Sequence, residues 1–70
     1  MATKHNSVSL MKAGDTEPVF VLRAQDRLAA AVVRFWAEEA ERAGCNPAKI
    51  AEAREVADVM ERWPTRKIPD

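Results

Sequence analysis

Two stretches of the chain repeat apolar residues at helical spacing. Between residues 27 and 43, Leu28, Ala29, Val32, Val33, Phe35, Trp36, Ala40 and Ala43 share one side. At about 100° per residue they fall in an arc of roughly 160°. Arg27, Arg34, Glu38, Glu41 and Arg42 lie opposite, while Glu39 sits inside the apolar arc. Between residues 47 and 63, Ile50, Ala53, Val56, Ala57, Met60 and Trp63 form a second face, with Val59 at its border. Glu52 is drawn onto that side, and Arg54, Glu55, Asp58, Glu61 and Arg62 point outward. The pattern predicts helices over about 27–43 and 47–63.

The ends of both segments carry stop and start signals. The Asp26 carboxylate can accept from the free amides of a first turn. Gly44 stands where a left-handed cap residue is wanted. Asn46 followed by Pro47 is an N-cap with a proline at the first helical position, and Pro64 ends the second helix. The link from Ala43 to Asn46 is too short for anything but adjacent helices, so an antiparallel helical hairpin is expected. Counting back from the turn sets Trp36 against Ala53, and Leu28 near Met60 and Trp63.

Ahead of the hairpin the pattern changes. Val19 to Leu22 is an unbroken apolar run opened by Pro18. Such a run reads as a short extended or β segment over about 19–23. One strand cannot satisfy its own backbone groups, so it requires a mate. The mate is Val8–Met11 folded back, or the same segment of another subunit. Residues 1–17 are polar, with a turn signal at Gly14-Asp15, and read as a flexible N-terminal tail. Residues 18–70 then form one small, mainly α domain.

Composition explains why a partner matters. The chain has 70 residues, 47% of them apolar, but 13 of these are alanine. Beyond residue 17, only 15 large apolar side chains remain to build a core. Domains this short usually add a disulfide, a metal or a second subunit. Cys45 is the single cysteine and His5 the single histidine, in the tail, so neither a disulfide nor a closed zinc site is available within the chain. A homodimer is the remaining route to a complete core, with two hairpins pairing through their uncovered arcs. The formal charge of zero removes long-range attraction for anionic partners, and also the repulsion that would oppose self-association. No run of about 18 apolar residues is present, and the N-terminus lacks a signal-type apolar core. A cytoplasmic protein with no membrane contact is expected.

Sites of chemistry are sparse. Two helices with a short Gly-containing turn invite a helix-turn-helix reading. Yet residues 47–63 carry Glu52, Glu55, Asp58 and Glu61 against Lys49, Arg54 and Arg62, the wrong balance for a DNA groove. Nucleic-acid binding is therefore the alternative reading, through Arg62, Arg66 and Lys67 beside Trp63. Glu38, Glu39 and Glu41 cluster, but no Glu-x-x-His spacing accompanies them, and they read as rim residues. Cys45 has no base or second thiol near it, and reads as the small apolar contact that follows a capping glycine. No phosphate loop, Ser-His-Asp set or paired-cysteine motif occurs. No catalytic residue, metal or cofactor is expected. The candidate interaction or dimer surface is Phe20, Val21, Leu22, Arg23, Phe35 and Trp36.

The string Pro18-Val19-Phe20-Val21-Leu22-Arg23-Ala24-Gln25-Asp26, followed by Val33-Arg34-Phe35-Trp36-Ala37 and Ile50-Ala51-Glu52-Ala53, resembles a family of short uncharacterised proteins of bacteria and their phages or prophages. These share a "PVFVLRAQD" opening, a helix, a glycine turn and an "AEA" helix. The similarity covers residues 18–70. It implies a cytoplasmic, phage-borne accessory protein, and brings with it no activity, ligand or catalytic residue. The reading at this stage is a non-enzymatic interaction or structural module that acts as a homodimer.

Overall fold

A computed structural model describes residues 11–69. Two helices dominate it, α1 (Ala29–Arg42) and α2 (Pro47–Glu61), and they pack directly on one another. The architecture is thus mainly helical, as the periodicity predicts. Both helices end one or two residues inside the expected bounds. Residues 1–10, including most of the Val8–Met11 segment, lie outside the described residues, and Met11 itself is helical.

The turn between the helices is closed by its backbone. The Cys45 amide donates to the Ala40 carbonyl (2.9 Å), and the Gly44 amide to the Glu41 carbonyl (3.2 Å). This is the paired hydrogen-bond pattern of a Schellman ending. It places Gly44 at φ 80°, a left-handed conformation that an L side chain resists. The motif also folds Cys45 back onto the cluster of Ala37, Ala40 and Ile50. One residue later, the Asn46 side chain accepts from the Ala48 amide at 2.9 Å, with Pro47 at the first helical position. That cap fixes where α2 starts, and such caps contribute typically about 1 kcal/mol.

Asp26 behaves differently from a simple N-cap. Its carboxylate accepts from the Leu28 amide at 2.8 Å and its carbonyl from the Ala29 amide at 3.1 Å, forming a turn ahead of the helix. Leu28 takes the cap position without a side-chain hydrogen bond, so α1 begins two residues later than Asp26 suggested. The C-terminal segment then returns to this turn. Lys67 donates its amide to the Gln25 carbonyl (2.7 Å), and its carbonyl accepts from the Arg27 amide (2.9 Å). The result is an isolated parallel bridge between Asp26 and Lys67.

No strand forms over residues 19–23. The Asp26–Lys67 bridge is the sole β pairing among the described residues. Residues 18–22 make no backbone hydrogen bond there. The physical reason is the one that made the run notable: among the described residues no mate stands beside it, and a strand without a mate has no ladder to join.

The core is made of alanine. Ala29, Ala30, Ala37, Ala40 and Ala57 are buried together with Ile50. On the helical wheel, Ala29, Ala30, Val33, Ala37 and Ala40 form a narrow face of α1, and this face meets α2. Methyl-sized contacts let two helices approach toward the short end of the usual separation of about 8–10 Å. The larger residues of the predicted arc lie beside this seam. Leu28, Val32, Phe35 and Trp36 are all exposed, which corrects the expectation that Trp36 and Leu28 fill the space between the helices. A close alanine seam leaves no room for an indole.

This geometry predicts the response to overpacking. Ala37 is fully buried, whereas Ala51 is exposed on α2. Ala37→Leu forces the helices apart and is expected to cost about 1–3 kcal/mol or more. Ala51→Leu, with nearly the same helix propensity change, should be close to neutral. Paired urea melts of the two variants check this.

Candidate functional site: an unpartnered apolar surface

The large apolar residues expected to form the core are mostly outside it. Of the 15 beyond residue 17, Ile50 alone is buried. Leu22, Val33, Val56, Val59 and Met60 are half-buried, and the other nine are exposed. Monomers do not usually leave contiguous apolar patches of this kind to water.

On α1 the exposed residues form one stripe. Leu28, Val32, Phe35 and Trp36 follow i, i+4, i+7, i+8 spacing, and cover an arc of about 100° on the helix. The stripe is centred about 120° round the helix from the alanine seam. Phe35 is the most exposed of the four at 63%, and Trp36 is exposed at 46%. Both were expected at an interaction surface, and both lie on this stripe.

The remaining expected surface residues lie ahead of α1. Phe20 is 84% exposed and Val21 67%, while Leu22 is half-buried. Arg23 is exposed and lines a shallow groove of about 180 Å³ with Val21, Gln25, Asp26, Lys67 and Pro69. The groove exists because the C-terminal segment is bridged to residues 25–27, a long-range pairing with no periodic signal in the sequence.

The ion pairs sit at the edges of the hairpin. Arg34 reaches across to α2, where its guanidinium contacts Asp58 (2.8 Å) and Glu61 (3.0 and 3.2 Å). The sequence placed Arg34 on the outer side. Its clamp was legible only as an i, i+3 acidic pair on the facing helix. Arg54 of α2 meets Glu41 at 3.5 Å. Arg42 pairs with Glu39 at 2.8 Å, so the carboxylate that lies within the arc of the stripe, just past Trp36, is committed to a neighbour on its own helix. Among the described residues, Arg27 and Glu38 make no ion pair.

The Arg34 clamp gives a pH signature. Its hydrogen bonds hold the Glu61 carboxyl below its ordinary value of 4.5, and the charge of Arg34 adds to the effect. A depressed folded-state value stabilises the fold above the ordinary value, and the contribution is lost as pH falls through the folded one. Wild type should therefore melt higher than Arg34→Gln near neutral pH. The gap should close as pH drops below about 4. Thermal melts of both proteins across that range check the sign.

The basic residues of the C-terminal segment follow directly on the end of α2. Arg62 caps the end of α2, its backbone amide donating to the Asp58 and Met60 carbonyls. Arg66 lies in the field of Glu61 and helps to lower its pKa, and Lys67 is held in the bridge to Asp26. Among the described residues, no cluster of His, Cys, Asp and Glu is arranged to hold a metal ion. No described helix is long and apolar enough to cross a membrane. No protein-family model, curated protein or solved structure matches the chain.

Proposed function

We propose that this protein is a non-enzymatic interaction module that acts as a cytoplasmic homodimer, accessory to a larger assembly. The observation that carries the reading is the inversion of its core, with alanines inside and large apolar side chains outside. At about 200 Å² for a fully exposed large side chain, the exposed parts of Leu28, Val32, Phe35 and Trp36 amount to about 400 Å². Val19, Phe20 and Val21 add about as much again, which brings the sum to the roughly 800 Å² that each partner contributes to a standard interface. The zero formal charge is compatible with such self-association. A second copy also offers the mate that the segment over 19–23 lacks among the described residues.

Nucleic-acid binding through Arg62, Arg66 and Lys67 has weaker support, because the Glu61 carboxylate stands in the field of Arg66 and the formal charge of the chain is zero. Sedimentation velocity at micromolar concentration tests the proposal. A dimer that dissociates on dilution is expected. A folded monomer at every concentration overturns it.

A further inference from the structure

The groove beside Arg23 is shaped by backbone hydrogen bonds. The Asp26 amide donates to the Arg23 carbonyl (2.9 Å), which closes a turn over residues 23–26. On either side of Asp26, the Gln25 carbonyl accepts from the Lys67 amide and the Arg27 amide donates to the Lys67 carbonyl. The two walls thus come from distant parts of the chain and are tied together without a ligand. Walls fixed in advance lower the ordering cost of binding. The lining is divided by chemistry, with Arg23, Gln25, Asp26 and Lys67 polar and Val21 and Pro69 apolar. Among the described residues the Arg23 guanidinium makes no ion pair, and the side-chain amide of half-buried Gln25 makes no hydrogen bond. Asp26 is already engaged, since one of its carboxylate oxygens accepts from the Leu28 amide at 2.8 Å.

We propose that this groove binds a small monocarboxylate with an apolar body. The planar guanidinium of Arg23 presents paired N–H donors that match the two oxygens of a carboxylate. The Gln25 amide offers a further donor. Arg23 and Lys67 set two positive charges against the single negative charge of Asp26, a balance that suits one negative charge on the ligand. Val21 and Pro69 give a short aliphatic or aromatic body an apolar surface to rest on. At about 180 Å³ the groove is smaller than the roughly 300 Å³ at which pockets for drug-sized ligands begin, so the body is a single ring or a short chain. The site stands apart from the stripe on α1 and needs no second copy.

Benzoate is the probe, titrated at constant ionic strength while NMR follows the backbone amides of the full chain. The amides of Gln25, Arg27 and Lys67 should move along one saturable curve with a millimolar dissociation constant. Acetate carries the charge without the body, and benzamide the body without the charge, so each should bind more weakly than benzoate. Arg23→Gln should weaken benzoate binding about tenfold or more, the loss that follows removal of a charge-assisted hydrogen bond. Arg23 is exposed and contributes only its backbone to the turn, so the variant should keep its fold and its other amide resonances. Lys49→Gln removes an exposed positive charge on α2 and should leave the binding curve unchanged. Equal affinity in wild type and Arg23→Gln, or shifts that do not saturate, would overturn the site. Acetate binding as tightly as benzoate would remove the role of Val21 and Pro69, and tighter binding of inorganic phosphate at the same amides would sink the monocarboxylate class.

Discussion

Ile50→Ala is expected to lower stability by about 2–5 kcal/mol, the range for truncating a buried aliphatic side chain. Ile50 is 5% exposed and packs against Ala37 and Ala40, with Cys45 and Ala53 around them. The alanine neighbours have no longer side chain with which to refill the space. The cavity term should therefore be close to fully felt. A chain of this size has little stability to lose, so the variant is expected to be largely unfolded at room temperature. Urea titration followed by circular dichroism measures it. Ile68→Ala removes the same atoms from a residue that is 60% exposed, and should shift the midpoint little. Equal effects at the two positions would mean that the hairpin seam does not run through Ile50.

Phe35→Lys should have the second large effect, and on assembly rather than folding. In the single chain Phe35 is exposed, so a lysine there meets water and helical content should persist. In a dimer joined through α1 the same position is covered, and a charge is forced into an apolar contact. Aromatic residues central to an interface commonly cost about 2 kcal/mol or more when removed, which is a dissociation constant raised about thirtyfold. Sedimentation equilibrium reads this directly, with circular dichroism reporting the fold. Glu55→Lys on the outer side of α2 should leave the association unchanged. A Phe35→Lys protein that stays dimeric would place the contact elsewhere, with Phe20 and Val21 the next surface to test in the same way.

Much of the fold is local in origin, and this is why the sequence displayed it. The Asn46-Pro47 pair sets the start of α2 through one side-chain hydrogen bond and one fixed backbone angle. Gly44 sets the end of α1 because the closing turn needs a positive φ. Between them, a link of a few residues leaves antiparallel packing as the outcome. The start of α1 was less legible. Asp26 accepts from amides two and three residues on, while the Gln25 carbonyl and the Arg27 amide on either side of it are taken by the returning Lys67 backbone. Competing local hydrogen bonds moved the helix start to Ala29.

The candidate surface was legible only in part. Phe35 and Trp36 belonged to a recognisable apolar arc, but that arc was wider than one neighbouring helix covers. Periodicity gives the existence of an apolar face, and does not say which part of it meets the neighbour. The groove beside Arg23 and the clamp of Arg34 on Asp58 and Glu61 join residues far apart in the chain. No spacing rule links such positions.

By itself, the sequence determined two helices, their caps and their antiparallel connection, since each depends on residues within a turn or two of one another. It also set the supply of large apolar side chains, too small for a conventional core of this length. The tertiary structure decided how that supply is spent. Alanine methyls let α1 and α2 come together closely, and close approach excludes Leu28, Val32, Phe35 and Trp36 from the seam. They are left on the outside, where a second helix can reach them.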